Sequence, residues 1–374
     1  MREVDNNPHA TSTPPVPEVS AIPHSAFPIP HAVGVVGAGS FGTAVANLLA
    51  AHVDVLLFSR NEDTVRTINR AHRHMDVALS PRIRATNDPE EIARTCSLLF
   101  PVVPSTAFRA TIRMLSPHLK PHHLIIHGTK GFDLLGLDED DLNRPDIAIT
   151  RANVRTMSEV VREESCVVRV GCLSGPNLAT EIQAGQPSAT VVASRFDEVI
   201  QAGKQVLNSP LFHVFGSTDL LGAELSGALK NIIALGSGIL GGLGLGRNIQ
   251  GLLIARGLAE MVYFGQALGA DSHAFMGVAG IGDLVATSTS TNSRNYSFGM
   301  RLARGESAQS IRDSMSELAE GVRTLRIAHQ LARHYKLHVP ITDTLHAVVF
   351  ENLPVMKALE YLMRYPYAVD VDFM

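Results

Sequence analysis

With 374 residues, 45% of them hydrophobic and 18% charged, the chain is long enough for two domains and apolar enough to bury a core in each. A net charge of -4 gives no electrostatic reason to expect a nucleic acid or an anionic membrane as partner, so affinity for an anion must come from locally placed cations. Three scattered cysteines, Cys96, Cys166 and Cys172, suit neither a disulfide framework nor a zinc site, and reduced thiols in the cytoplasm are expected.

Residues 1–30 are rich in Pro, Ser, Thr and His, as in Thr13-Pro14-Pro15-Val16-Pro17. Such a composition cannot nucleate a core and predicts a disordered tail, and it lacks the continuous apolar stretch of a secretory signal. Order begins near Ala32. Val33-Gly34-Val35-Val36 reads as a buried strand, residues 43–51 as a helix and 53–58 as a second strand. Asp88-Pro89-Glu90-Glu91 has the form of a helix start, with a cap, a proline at the first position and early acids. Further apolar runs cover residues 98–103, 124–127 and 166–173. Strands alternating with helices predict an α/β domain over residues 31–217, a doubly wound parallel sheet of the Rossmann type with helices on both faces. Past Thr218 strand-like runs nearly vanish, and helical patterns cover 224–235, 249–268, 307–314, 321–335 and 355–362. Residues 218–374 are therefore expected to form an all-helical domain. The apolar-rich stretch 229–258 is interrupted by Lys230, Asn231, Arg247, Asn248 and Arg256 and is not a membrane span.

Gly37-Ala38-Gly39-Ser40-Phe41-Gly42 is a G-x-G-x-x-G that follows a predicted strand and opens a predicted helix. In that context Gly37 permits the tight turn, Gly39 lets a pyrophosphate approach the backbone, and Gly42 lets helix and strand pack closely. The helix N-terminus then faces the phosphates with its N–H groups. An NAD-specific fold places an acid about 20 residues further on, against the ribose hydroxyls. Here that place reads Ser59-Arg60-Asn61, and an arginine suits a 2′-phosphate. NADPH is the expected cofactor, with NADH as the alternative because Glu62 and Asp63 follow closely.

Hydride reduction of a ketone builds negative charge on an oxygen that must finally receive a proton, and a cationic acid beside it can do both jobs. Lys130 and Lys230 each sit in a mainly apolar segment, where burial and a second cation would lower a lysine pKa toward a useful range. Asp283 lies in a glycine-rich loop between helical segments. Ser293-Arg294-Asn295 offers a hydroxyl, a guanidinium and an amide in a row, a set that suits a phosphate monoester.

The glycine-rich turn, Val103-Pro104-Ser105, Thr129-Lys130-Gly131-Phe132, Gly175-Pro176-Asn177-Leu178-Ala179-Thr180-Glu181, Leu229-Lys230-Asn231, Gly280-Ile281-Gly282-Asp283-Leu284 and Ser293-Arg294-Asn295 occur in the order seen in NAD(P)-dependent glycerol-3-phosphate dehydrogenases. The chain resembles that family from about Val33 to Tyr361. The resemblance implies reversible reduction of dihydroxyacetone phosphate to sn-glycerol 3-phosphate, feeding glycerophospholipid synthesis. It implies Lys230 as general acid and base, with Lys130 and Asp283 beside it. Substrate contacts would come from Lys130, Gly175, Asn177, Lys230, Asp283, Ser293, Arg294 and Asn295. Cofactor contacts would come from Gly37, Gly39, Ser40, Phe41, Gly42, Arg60, Lys130, Ala179, Arg294, Leu318 and Glu320. Two features depart from the family. Asn177 and Leu178 stand where Ser or Thr and then Phe are usual, and residues 132–170 are longer than usual, with an acidic Asp138-Glu139-Asp140-Asp141 that reads as a surface insertion.

The 16 histidines cluster in places, as at His118, His122, His123 and His127, but without ligand spacing, so no metal is expected. Neither a nucleic acid nor a membrane segment is expected, and the chain is expected to pair as a homodimer. Two rivals remain: a dehydrogenase of the same plan for a hydroxy acid, against which the Ser293-Arg294-Asn295 cluster argues, and a non-catalytic dinucleotide sensor, which would need neither lysine.

Overall fold

The computed structural model describes residues 30–144, 147–315 and 319–366. The expected tail therefore falls almost wholly outside the described residues, and so does Leu318.

The first half alternates strand and helix. In order it runs β1 (Ala32–Val36), α1 (Ser40–Leu49), β2 (Asp54–Phe58), α2 (Glu62–Ala71), β3 (Ile83–Thr86), α3 (Pro89–Thr95), β4 (Leu98–Pro101), α4 (Ser105–Leu115), β5 (Leu124–His127), α5 (Met157–Glu164), β6 (Val170–Ser174), α6 (Ala179–Gln183), β7 (Ser188–Ser194), α7 (Asp197–Leu207) and β8 (Phe212–Ser217). These eight strands form one sheet in the order 3-2-1-4-5-6-7-8. The first six follow the order of a dinucleotide-binding sheet, which reverses direction between β1 and β4. Val33, Val35 and Val36 of β1 are fully buried, as expected of a central strand covered on both faces. Helix starts are well marked: Asn61 and Asp88 each cap a helix through a side-chain oxygen, and Pro89 occupies the first turn of α3.

The sheet is not wholly parallel, because β6 pairs with β7 antiparallel. The link between them carries only the five-residue helix α6, which turns the chain back rather than carrying it across the sheet. The strand expected over 166–173 begins only at Val170, with Arg169 just before it paired to Glu198 of α7.

Beyond Ser217 the described chain is helical: α8 (Leu220–Gly242), α9 (Arg247–Ala267), α10 (Asp283–Thr289), α11 (Arg294–Ala303), α12 (Ala308–Ser314), α13 (Glu320–Tyr335), α14 (Pro340–Phe350) and α15 (Val355–Met363). Helix α8 is buried on nearly every side and is the axis of this half. It meets α11 at backbone distance, since a Cβ on Gly238 would stand 2.0 Å from the Tyr296 carbonyl oxygen and one on Gly299 2.0 Å from that of Leu235. No helix among the described residues is long and apolar enough to cross a membrane.

The stretch expected to be a surface insertion is only partly that. Asp138, Glu139 and Asp140 are exposed, but Phe132, Leu142, Ile149 and Val154 are buried in the helical core. Arg323 of α13 holds the stretch down by an ion pair to Glu139 and a hydrogen bond to the Phe132 carbonyl. The loop that carries Lys130 is thereby tied to the helices.

Candidate active site

Three chain segments far apart in sequence deliver one charge cluster. Lys130 follows the C-terminal end of β5, Lys230 lies midway along α8, and Asp283 opens α10 directly after a π-turn at Val278–Gly282. The Asp283 carboxylate is shared: Lys130 Nζ donates to Oδ2 at 2.6 Å, and Lys230 Nζ donates to Oδ1. Lys230 Nζ also donates to Thr287 Oγ1 at 2.5 Å, one helical turn beyond Asp283, and Lys130 Nζ donates to the Gly175 carbonyl at 3.0 Å. Gly175 sits at φ 142°, a conformation only glycine adopts readily. Side-chain exposure rises from 2% at Asp283 through 7% at Lys230 to 18% at Lys130, so Lys130 is the member nearest solvent.

Burial pushes the Lys230 ammonium down to about 7; Asp283 opposes the shift and Lys130 adds to it. Burial alone would raise Asp283, but Lys130 and Lys230 together hold its carboxyl below the usual range. An amine poised near neutrality can give a proton and take it back, which is what reversible ketone reduction asks of it.

At the C-terminal end of β1, Gly37 sits at φ 118°, and a Cβ there would stand 2.9 Å from the Val102 carbonyl oxygen. A Cβ on Gly42 would stand 1.9 Å from the Gly37 carbonyl oxygen, so helix and turn touch through glycine alone. No side chain caps the N-terminus of α1, which starts from Gly39. This cradle fits a pyrophosphate as the glycine pattern requires. A separate cavity of about 510 Å³ lies at the opposite strand ends, lined by His31, Arg94, His122 and Glu198, away from both features.

Family models match most of the chain: the NAD-dependent glycerol-3-phosphate dehydrogenase N-terminus over residues 32–200 and its C-terminus over 219–360. The chain belongs to the NAD-dependent glycerol-3-phosphate dehydrogenase family. Glycerol-3-phosphate dehydrogenase [NAD(P)+] of Saccharophagus degradans is 37% identical over 347 residues, covering 91% of this chain and 92% of its own. Its counterpart from Teredinibacter turnerae is 36% identical over 345 residues, 91% of this chain and 96% of its own. Among solved structures, the glycerol-3-phosphate dehydrogenase of Coxiella burnetii superposes with a TM-score of 0.79 at 31% identity, covering 90% of this chain and all of that one.

Within the family frame, the structure separates residues that look alike in sequence. Ser293, Arg294 and Asn295 do not face one way. Ser293 is buried and caps α11 by accepting from Tyr296 N. Asn295 points inward: its Nδ2 donates to Asn231 Oδ1 at 2.9 Å, and its Oδ1 accepts from Gly321 N at 2.9 Å. Only Arg294 is exposed. The Asn295 amide ties α8, α11 and α13 together.

Asn177 is committed too. Its Nδ2 donates to Thr190 Oγ1 at 2.8 Å, while the Thr190 hydroxyl donates to the Ser174 carbonyl at 3.2 Å. The buried Oδ1 of Asn177 has no protein partner, so this residue offers an acceptor where a hydroxyl is usual. Glu320, which alone would pass as a surface charge, accepts from Ser105 N at 2.8 Å and Ser105 Oγ at 2.6 Å, close against Gly131. Ala179 opens α6, whose Gln183 donates to the Ser40 carbonyl in the glycine-rich turn. Phe41 lies beside it, half-buried, and Arg60 stands exposed just past β2. Thr287 and Asn231 escaped the sequence reading as site residues. The only signal for Thr287 was its spacing of four from Asp283, which puts both on one helix face.

Proposed function

We propose that this chain reduces dihydroxyacetone phosphate to sn-glycerol 3-phosphate, reversibly, with Lys230 as the proton donor. The observation that carries the reading is the shared Asp283 carboxylate, which gathers two ammonium groups at one buried point. The nicotinamide of NAD(P)H, when bound, supplies the hydride. Lys230 Nζ gives its proton to the carbonyl oxygen as the alcohol forms and recovers one in the reverse direction. Lys130 stabilises the developing oxyanion. Asp283 and Thr287 fix the Lys230 amine, and the Gly175 carbonyl helps aim Lys130. Arg294, with the Ser293 hydroxyl, holds the phosphate, and Asn177 accepts a hydrogen bond from the substrate. Asn295 acts through Asn231. Gly37, Gly39, Ser40, Phe41, Gly42 and Ala179 hold the pyrophosphate half of the cofactor, with Arg294 and Glu320 toward its other end. The glycine-rich half, residues 31–217, is the cofactor domain, and 218–374 the substrate domain.

The deciding experiment is steady-state kinetics with dihydroxyacetone phosphate and each reduced cofactor, set against a non-phosphorylated hydroxyketone. Turnover confined to the phosphorylated ketone is expected. Equal turnover of both would transfer the chain to the hydroxy-acid type of dehydrogenase, and none with either would leave a dinucleotide sensor.

NADPH is the preferred cofactor in this reading, through Arg60. A charge-assisted hydrogen bond contributes roughly 1.5–3 kcal/mol, or about one to two decades in affinity. Arg60→Ala is expected to raise KM for NADPH by about that factor and to leave KM for NADH within a few-fold. Equal losses with both cofactors would assign Arg60 to the adenosine half in general.

The enzyme works in the cytoplasm and feeds glycerophospholipid synthesis. It pairs as a homodimer over an apolar groove between α8, α9, α14 and α15, lined by Ile239, Leu243, Leu253, Leu345 and Leu362. Exposed Leu252 and Met356 belong to the same helices. Light scattering on wild type and Leu252→Glu checks this, and an unchanged dimer in the variant would move the interface elsewhere.

A further inference from the structure

Behind the lysines lies a second buried polar cluster that the chemistry above does not use. His127 closes β5, three residues before Lys130, and Glu224 lies on α8, six residues before Lys230. His127 is 1% exposed and Glu224 9%. His127 Nε2 meets Glu224 Oε1 at 3.0 Å. The same Oε1 accepts from Ser158 N at 2.8 Å, and Oε2 accepts from Ser158 Oγ at 2.6 Å. Ser158 is anchored in the first turn of α5, which a Thr156/Glu159 capping box fixes. Burial alone would raise the Glu224 carboxyl, but His127 and Ser158 hold it below its usual range, so the buried group is an anion. The other nitrogen of the imidazole, Nδ1, is buried without a protein partner, which leaves Nε2 to carry the N–H toward Glu224.

A buried charged group of this kind seldom adds net stability over well-packed apolar residues; its best-attested use is to fix one arrangement. The arrangement here is specific. From the cluster, three residues past the end of β5 lead to Lys130. Six helical residues lead to Lys230, about 9 Å along the axis. The two legs leave the cluster on different elements and close again at Asp283.

We propose that His127, Glu224 and Ser158 form a positioning clasp that sets the distance between the strand end bearing Lys130 and the helix bearing Lys230, and so holds both ammonium groups on one carboxylate. The clasp touches neither lysine and acts through the backbone. It rests on the reading of Lys230 as proton donor, and its test separates the two.

Four variants decide it: His127→Leu, His127→Gln, Ser158→Ala and, as reference, Lys230→Ala. Each is purified and measured for kcat, for KM of both substrates and for melting temperature. Displacing catalytic groups by about 1 Å costs on the order of a hundredfold. His127→Leu is therefore expected to lose about ten- to a hundredfold in kcat, with KM for the nicotinamide cofactor within about threefold. His127→Gln restores an N–H donor at the reach of Nε2 and is expected to recover most of that loss. Ser158→Ala, which keeps the fold if His127→Leu does not, should show a smaller loss of the same kind. A fall in melting temperature with unchanged kcat in His127→Leu and Ser158→Ala would reduce the cluster to a structural one. Failure of His127→Gln to recover kcat would do the same. If Lys230→Ala itself kept wild-type kcat, the reading of the lysines would fall and take the clasp with it. A dead Lys230→Ala beside an unaffected His127→Leu removes the clasp alone.

Discussion

Lys230→Ala is expected to lose about 10²–10⁴-fold in kcat while still binding the nicotinamide cofactor. Lys230 lies in the middle of α8, on the helical side, whereas the glycine-rich cradle is built by β1 and α1, so the substitution leaves the dinucleotide site intact. The loss falls on the proton transfer alone. The wild-type pH profile depends on the same residue. Burial brings the Lys230 ammonium down to about 7. Ketone reduction needs the protonated amine, so its rate should be high below that value and fall as pH rises through it. Alcohol oxidation needs the free amine and should rise over the same range. In Lys230→Ala both limbs should disappear from whatever residual activity remains. Wild-type kcat in the folded variant, or profiles that run the same way in both directions, would exclude Lys230 as the proton donor.

What could be read from sequence alone was what depends on neighbours along the chain. Gly37, Gly39 and Gly42 announce their turn because strand, turn and helix are contiguous, and the structure places Gly37 and Gly42 where a Cβ or a different φ would obstruct it. The caps at Asp88 and the proline of α3 are legible for the same reason. β7 and β8 are less legible. β7, seven residues long, mixes Ser188, Thr190 and Ser194 with its valines, and β8 is an edge strand that leaves His213 and Phe215 exposed, so neither has the continuous apolar character of a central strand. The antiparallel pairing of β6 and β7 depends on where the link through α6 turns the chain, which periodicity does not carry. Within the site, sequence could nominate Lys130, Lys230 and Asp283 but not their convergence, since 100 residues separate the two lysines and 53 separate Lys230 from Asp283. The direction of Asn295 is likewise set by Asn231 and Gly321, both remote in the chain. His127 and Glu224 drew no attention as a pair, being 97 residues apart and unremarkable singly.

Asp283→Asn should impair reduction at pH 7 by about 10²-fold or more and, unlike Lys230→Ala, should recover part of the loss in acid. The substitution keeps shape and removes charge. Asp283 at present accepts from both ammonium groups, one on each oxygen. An asparagine keeps one acceptor and presents an N–H₂ to the other lysine, so at least one of the two hydrogen bonds becomes donor against donor. Electrostatics decides the outcome. Asp283 is the influence that opposes burial at Lys230, while Lys130 adds to it. Without the carboxylate both remaining influences push the same way, and the Lys230 ammonium titrates below its present value. At neutral pH most of the amine is then unprotonated and has no proton to give. Lowering the pH refills it, so the midpoint of the reduction profile should move to the acid side while the oxidation direction keeps its free base. Losing the partner of a buried charge costs about 3–5 kcal/mol when the charge persists; here Lys230 can shed its proton, so the melting temperature should fall less at pH 8 than at pH 6. Reduction profiles of wild type and Asp283→Asn, measured beside their melting temperatures, provide the check. A midpoint that stays in place or moves to higher pH would mean that Asp283 holds substrate rather than tuning the lysine.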